Sequence, residues 1–154
     1  MDKDHFDHDA VASKLNQLLE MELAGVVRYT HYSFMVFGYG RIPIVSWLRN
    51  EATEALTHAQ ELGELITTLG GHPSLGIGPL LETHKHHIGD ILRESLQHEN
   101  AALQQYHELL ELVRDRSVNL EEFARRLISV EETHAGEVNK MLRNPGEHGE
   151  FISN

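Results

Sequence analysis

Apolar residues recur every three or four positions over four long stretches of this chain, and no other feature limits its fold so strongly. That spacing places apolar side chains on one face of an α-helix, whereas a half-buried β-strand would alternate apolar and polar residues. All four prolines and most glycines fall between the stretches. The predicted helices cover approximately residues 10–37, 44–69, 83–116 and 120–143. The sequence therefore predicts an all-α protein.

The links between these helices differ in length. The first and third links are short, which favours two antiparallel helix pairs, whereas the middle link spans about a dozen residues, 71–82. A link of that length can carry the chain along the bundle, so we predict a four-helix bundle with one long crossover between helices two and three. An ordinary up-and-down bundle with a loose middle loop is the alternative. Asn119 and Glu122 resemble a capping box at the start of helix four.

The chain has 154 residues, the length of a single domain. We expect an acidic tail at residues 1–9 and a short polar tail at residues 144–154, with no fifth helix. No apolar run approaches the roughly 18 residues of a membrane helix, and the acidic N-terminus differs from a secretory signal. These features predict a cytoplasmic protein with no membrane contact.

Charge and composition narrow the classes of function. Thirteen lysines and arginines against 24 aspartates and glutamates give a net charge of −11, which disfavours nucleic-acid binding and favours cations. The absence of cysteine excludes thiolate zinc sites, iron–sulfur clusters and thiol nucleophiles. Twelve histidines supply the side chain that most often ligates transition metals.

Ionisable residues interrupt the apolar face near the middle of every predicted helix. The interruptions are Glu22 in helix one, His58 in helix two, Glu99 in helix three, and Glu131 with His134 in helix four. Burying an unpaired carboxylate costs several kcal/mol. Ionisable residues buried at one depth in all four helices therefore need a partner that offsets this cost. Two divalent cations would compensate, as in bundles where two helices each supply a Glu and the other two each supply a Glu-x-x-His pair. The alternative to a metal site is that these side chains are paired locally or exposed to solvent.

Helix two departs from that pattern. Ala55 stands three residues before His58, where a glutamate is expected. Glu54 shares roughly the face of His58, whereas Glu51 lies two turns away, about 10 Å along the axis. We predict that Glu54 replaces the missing ligand, turned inward by a π-bulge of the kind that favours functional sites. Glu51, or no carboxylate from this helix, are the alternatives.

Several of these stretches resemble the bacterioferritins, with similar spacing over about residues 10–143. The matching segments are residues 15–24 with Arg28 and Tyr29, residues 57–59, residues 71–75, Glu99 and residues 130–134. The resemblance implies a ferritin-like four-helix bundle with a dinuclear iron site that oxidises Fe(II) with oxygen or peroxide. It implies iron storage or detoxification. Together with our own prediction for Glu54, the expected metal ligands are Glu22, Glu54, His58, Glu99, Glu131 and His134. Glu22, Glu99 and Glu131 are the expected catalytic carboxylates.

Three departures from the family affect these expectations. Ala55 replaces the bridging glutamate, and Leu56 occupies the position of the haem-ligating methionine, which disfavours haem. Only 20 residues follow His134, too few for the fifth helix that helps build the family's twenty-four-subunit shell. We therefore expect a homo-oligomer that is a dimer, a dodecamer or a larger shell.

Two other functions fit the same residues. One is a di-metal oxidase or peroxide-detoxifying protein without a storage role, and the other is a DNA-protecting or scaffold bundle with a degenerate centre. Tyr29 and Tyr106 lie one heptad after Glu22 and Glu99. They are either hydrogen-bond partners of the ligand carboxylates or ordinary core tyrosines.

Overall fold

The computed structural model describes residues 6–80 and 83–147, which form four helices and no strand. The helices are α1 (His8–Met35), α2 (Arg41–Thr68), α3 (Ile88–Val113) and α4 (Val118–Met141). The predicted all-α four-helix bundle is thus confirmed. No helix within these described residues is both long and apolar enough to cross a membrane. Residues 148–154, where we expected a tail rather than a fifth helix, lie outside the described part.

The helix boundaries differ from the predicted ones for local reasons. The Asp7 side chain accepts a hydrogen bond from the Ala10 amide, so α1 starts inside the expected acidic tail. Helix α2 begins before Pro43, because a proline in the first turn has no helical hydrogen bond to lose. Helix α3 begins five residues later than predicted, since His84 adopts a left-handed conformation with φ of 57° and His87 caps the helix.

The predicted capping box of α4 is wrong. The capping residue is Ser117, whose hydroxyl accepts a hydrogen bond from the Leu120 amide. Ser117 has extended backbone angles, as an N-cap requires. Asn119 lies inside the first helical turn, where its side chain does not cap the helix.

The long link is an extended crossover that runs along α1. The side chain of Asn16 bonds the backbone of His72 and Ser74, and the Gly78 amide donates to the Glu20 carbonyl at 2.9 Å. A Cβ atom at position 78 would lie 3.0 Å from that carbonyl oxygen, so glycine permits the close approach. The crossover therefore runs along α1 in the same direction as the helix. The alternative of a loose middle loop is excluded.

This route fixes the helix directions. Lys14 near the start of α1 pairs with Glu108 late in α3, while Tyr29 late in α1 reaches Glu99 earlier in α3. Helices α1 and α3 are therefore antiparallel. Helix α1 packs on α2 and α3, and α3 packs on α4. The middles of the helices consequently meet at one depth.

The apolar core consists of two clusters separated along the bundle axis. The larger cluster contains Leu15, Leu62, Leu109 and Leu127 and lies towards the end where α1 begins. The smaller cluster contains Val36, Leu48 and Ile91 and lies at the opposite end. The level between them is occupied by buried polar side chains.

Candidate metal centre

Four glutamates and one histidine are buried at the level between the apolar clusters. Helices α1, α3 and α4 contribute Glu22, Glu99 and Glu131, and α2 contributes Glu51 and His58. Only 4–7% of the surface of each of these residues is exposed to solvent. Buried carboxylates in such number need cations or protons to offset their charge.

Two of the possible metal-binding groups share one carboxylate. Glu22, His58 and Glu131 form the first group, and Glu99, Glu131 and His134 form the second. Within each group the potential ligand atoms lie within 4.8 Å of one another. Glu131 belongs to both groups, and its two oxygens face different histidines. Oε1 lies 3.8 Å from Nδ1 of His58, and Oε2 lies 3.8 Å from Nδ1 of His134.

The carboxylates of α2 approach His134 from both sides. Oε2 of Glu51 lies 3.1 Å from Nδ1 of His134, and Oε2 of Glu54 lies 2.7 Å from Nε2. These three residues form a third possible metal-binding group. Glu51 is buried, whereas the Glu54 side chain is half exposed. Ala55 is buried beside them and supplies only a methyl group.

The expected π-bulge is absent, since α2 is regular α-helix from Arg41 to Thr68. Glu54 reaches His134 without it, because a glutamate side chain is long enough to extend from the side of the helix. All six residues selected from the sequence therefore converge in space: Glu22, Glu54, His58, Glu99, Glu131 and His134. Their role as metal ligands remains a prediction.

The two tyrosines bond the glutamates of the opposite helix. Tyr29 on α1 donates a short hydrogen bond to Glu99 on α3, and Tyr106 on α3 donates to Oε1 of Glu22 at 2.7 Å. Burial, together with the neighbouring carboxylates, raises the pKa of both tyrosines well above its usual value, so both keep their protons. These contacts favour the first of our two alternatives, in which the tyrosines position the carboxylates.

The electrostatics show that the carboxyl groups need a counter-charge. Burial raises the pKa of Glu131 to about 8 and that of Glu51 to about 7. Burial and a hydrogen bond with Glu131 raise the pKa of Glu99 well above its usual value. Without cations, these groups hold protons near neutral pH. Bound divalent ions would displace those protons and replace their charge.

The donor set fits a pair of divalent cations. Nδ1 of His58 and Oε2 of Glu131 are buried and have no hydrogen-bond partner among the described residues. Burial alone would lower the pKa of His58, but the Glu22 carboxylate, whose Oε1 lies 3.5 Å from Nδ1, raises it above its usual value. The four buried carboxylates, Glu22, Glu51, Glu99 and Glu131, carry a charge of −4 when ionised, which two divalent ions neutralise.

One histidine of this region was not predicted from the sequence. His98 is buried and lines the same cavity as the six residues above. A Cβ atom at Gly25 would lie 3.2 Å from its Nε2 atom and 3.4 Å from the Cβ atom of Ala55, so small residues at these positions leave room for the ring. Burial, with the charge of Arg28, lowers the pKa of His98 to about 4. His98 lies seven residues after Ile91 and four before Ala102, which are also buried, so its helical spacing is a signal that could have identified it.

Comparison with known proteins defines the class. The family model of the ferritin-like domain matches residues 12–145, and the chain therefore belongs to the ferritin family. No curated protein sequence is detectably similar to it. The class predicted from the bacterioferritin-like motifs is confirmed at the level of the family.

Solved structures of this class share the fold. A ferritin-like diiron-carboxylate protein of Bacillus anthracis str. Ames has a TM-score of 0.85 and 23% identity, covering 89% of this chain and 98% of that one. The dodecameric thioferritin of Bacteroides fragilis, a bacterioferritin-related protein, has a TM-score of 0.84 and 20% identity, covering 89% and 86%. Rhodobacter capsulatus bacterioferritin, with a metal-free dinuclear site and haem iron, has a TM-score of 0.78 and 25% identity, covering 87% and 84%.

The raised pKa values predict how the stability of the metal-free protein depends on pH. Between the ordinary glutamate pKa of 4.5 and the folded values of about 7 for Glu51 and about 8 for Glu131, the folded chain binds more protons than the unfolded chain. The free energy of unfolding should therefore fall as pH rises through this window, by on the order of several kcal/mol, because a pKa raised by one unit corresponds to about 1.4 kcal/mol. Urea denaturation with a chelator present measures it.

The variant Glu131→Gln is the control for this titration. It retains the size of the side chain and removes one of the groups that titrate, so its stability should depend less steeply on pH. A free energy of unfolding that rises between pH values of about 5 and 8 in the metal-free wild type would contradict the assigned shifts.

Proposed function

We propose that this protein is a ferroxidase of the ferritin-like di-iron class, which oxidises Fe(II) with oxygen or peroxide. The observation that carries the proposal is Glu131, which is shared by two groups that each contain a histidine from a different helix. This arrangement suits two ions held side by side in a buried site. The acidic surface, with a net charge of −11, attracts the cationic substrate.

Each residue has a separate role in this proposal. Glu22 and His58 hold one Fe(II) ion, Glu99 and His134 hold the other, and Glu131 lies between them. Each Fe(II) gives up one electron. Oxygen accepts the two electrons with two protons and becomes hydrogen peroxide, or peroxide accepts them with two protons and becomes two water molecules. Tyr29 and Tyr106 keep the carboxylates oriented through their hydrogen bonds.

Glu51 supplies the carboxylate that Ala55 lacks. It is buried on the inner side of His134, whereas Glu54 is half exposed on the outer side. Counting Glu51, four carboxylates balance the charge of two divalent ions without Glu54. Glu54 then accepts a hydrogen bond from Nε2 of His134, which fixes the ring so that Nδ1 faces the ion. The role of Glu54 thereby changes from the expected ligand to a positioning residue.

Ferroxidase activity is tested with Fe(II) added aerobically to the metal-free protein. We expect rapid growth of ferric near-ultraviolet absorbance after two Fe(II) equivalents bind, and Glu131→Gln should slow it by at least about tenfold. The control is Glu132→Gln, which removes the adjacent, exposed carboxylate of the same helix. Binding of two Fe(II) ions by the wild type without oxidation would refute the activity.

The role of Glu51 is tested by moving its carboxylate one turn along α2. Glu51→Ala should lose one of two tightly bound Zn²⁺ ions in calorimetric titration, and the double variant Glu51→Ala with Ala55→Glu should regain it. Glu54→Ala should keep both ions with an affinity reduced by about 10- to 100-fold at one of them. Loss of an ion in Glu54→Ala but not in Glu51→Ala would reverse the assignment.

We also propose that the protein acts as a homo-oligomer. Large apolar side chains are exposed on α2 and along the crossover, namely Leu56, Leu75 and Ile77, and such side chains are typical of interfaces. Leu56 has no atom that could ligate haem iron, so the proposal includes no haem at this position. A dodecamer or larger shell could store iron inside, whereas a dimer would only oxidise it.

Light scattering of the purified protein measures the assembly. We expect at least a dimer for the wild type and dissociation towards the monomer for Leu75→Glu, because the change places a charge on a side chain that is 95% exposed in the monomer. Glu111→Gln, on the exposed surface of α3, serves as the control. A wild-type monomer at micromolar concentration would contradict the proposal.

A further inference from the structure

A second cavity lies between α1 and α3, beside the centre described above. Its volume is about 200 Å³. Its outer wall includes three exposed residues, Pro79 of the crossover with Gln97 and Ala101 of α3, so the cavity opens towards solvent. Its inner end is formed by Glu94 and His98, which are both buried. The cavity therefore leads from the surface of the protein into the bundle.

His98 forms the boundary between this cavity and the metal centre. Among the described residues, it is the one that lines both spaces. Its ring lies edge-on to Tyr29, with 6.1 Å between the ring centroids, and a Cβ atom at Gly25 would lie 3.2 Å from its Nε2 atom. One imidazole ring packed against α1 therefore closes the inner end of the cavity, and rotation of this ring would join the two spaces.

The lining of the cavity suits a small uncharged molecule rather than a cation. The Arg28 guanidinium is part of the wall and donates to the Pro79 carbonyl oxygen at 2.8 and 3.1 Å, so its positive charge repels Fe(II) there. Met21, Pro79 and Ala101 make part of the wall apolar. Oε1 of Glu94 has no hydrogen-bond partner among the described residues, so it can accept a hydrogen bond from a molecule inside. Water, oxygen and hydrogen peroxide meet these conditions.

A cation has a different approach to the centre, on the opposite side of the bundle. Glu54 of α2 is half exposed and reaches His134 of α4, so a carboxylate extends from solvent to the centre between these two helices. The other two helices, α1 and α3, pack against each other and enclose the second cavity. Negative charge thus lies at one approach and the positive charge of Arg28 at the other. This difference separates a cationic reactant from an uncharged one.

We propose, on the basis of the ferroxidase function proposed above, that the second cavity is the route by which the oxidant, oxygen or hydrogen peroxide, reaches the metal centre. Fe(II) enters on the side of Glu54, whereas the oxidant enters between α1 and α3. His98 determines by its size which oxidants pass, so it is a specificity-determining residue and not a metal ligand. Ala101 lies on the path of the oxidant.

The route is tested by filling the cavity from its exposed wall. Ala101→Phe places a ring on the path without replacing any residue of the centre. It should bind Fe(II) anaerobically as the wild type does, while the apparent KM for oxygen, and separately for hydrogen peroxide, rises severalfold. Asn100→Phe is the matched control, since Asn100 is also exposed on α3 but does not line the cavity. A rise for one oxidant alone would assign the route to that oxidant, and unchanged values for both would overturn the proposal.

The role of His98 is tested with a bulkier oxidant. tert-Butyl hydroperoxide has the O–O bond of hydrogen peroxide, but we expect the closed inner end of the cavity to exclude it. His98→Ala should therefore increase the rate of Fe(II) oxidation by this compound, relative to the rate with hydrogen peroxide, by at least about tenfold. Misfolding of the variant cannot produce such a gain. An unchanged ratio of the two rates would show that His98 does not select the oxidant.

Xenon locates the route without iron, because it occupies small apolar spaces. Crystals of the metal-free wild type under xenon pressure should show an anomalous peak in the cavity beside His98, and crystals of Ala101→Phe should lack it. Absence of the wild-type peak would overturn the route even if the protein oxidises Fe(II). Failure of the proposed function would instead appear as a wild type that does not oxidise Fe(II) although the xenon peak is present, so the two failures are distinguishable.

Discussion

The charge of four carboxylates buried at one depth is the constraint on which the rest of this structure depends. Glu22, Glu51, Glu99 and Glu131 come from four helices and meet where water is excluded. Without cations they can stay buried only by holding protons, which their raised pKa values record for three of them. Two divalent ions neutralise the same four charges, so one layer of the bundle is suited to metal rather than to packing.

The surrounding structure supports this layer at some cost to the core. The apolar core is split into two clusters, one above and one below the carboxylates. Tyr29 and Tyr106 cross between α1 and α3 to bond Glu99 and Glu22. These hydrogen bonds tie the two helices together and orient the carboxylates. On α2, Glu51 lies one turn before Ala55, and its carboxylate reaches His134.

Much of the fold and most of the site could be predicted from the sequence. The spacing of leucines predicted four helices, and the link lengths predicted which link was the crossover. Boundaries were predicted less well, since Ser117 rather than Asn119 caps α4 and His84 delays the start of α3. The sequence favoured Glu54 over Glu51, yet both carboxylates reach His134. Spacing along one helix cannot show how far a side chain extends towards another helix. His98 was missed because the apolar face of α3 was defined by the leucines at positions 92, 96, 103 and 110, whereas His98 is in register with the buried Ile91 and Ala102.

The sequence by itself determined which residues are too polar for the apolar face on which they lie, and therefore that something must compensate for them. Periodicity is a local property, so each helix carries that information independently of the others. Only the tertiary structure decided which carboxylates and histidines lie close together, and which tyrosine bonds which glutamate. These are distances between helices, and they depend on how the helices pack against each other and along the crossover.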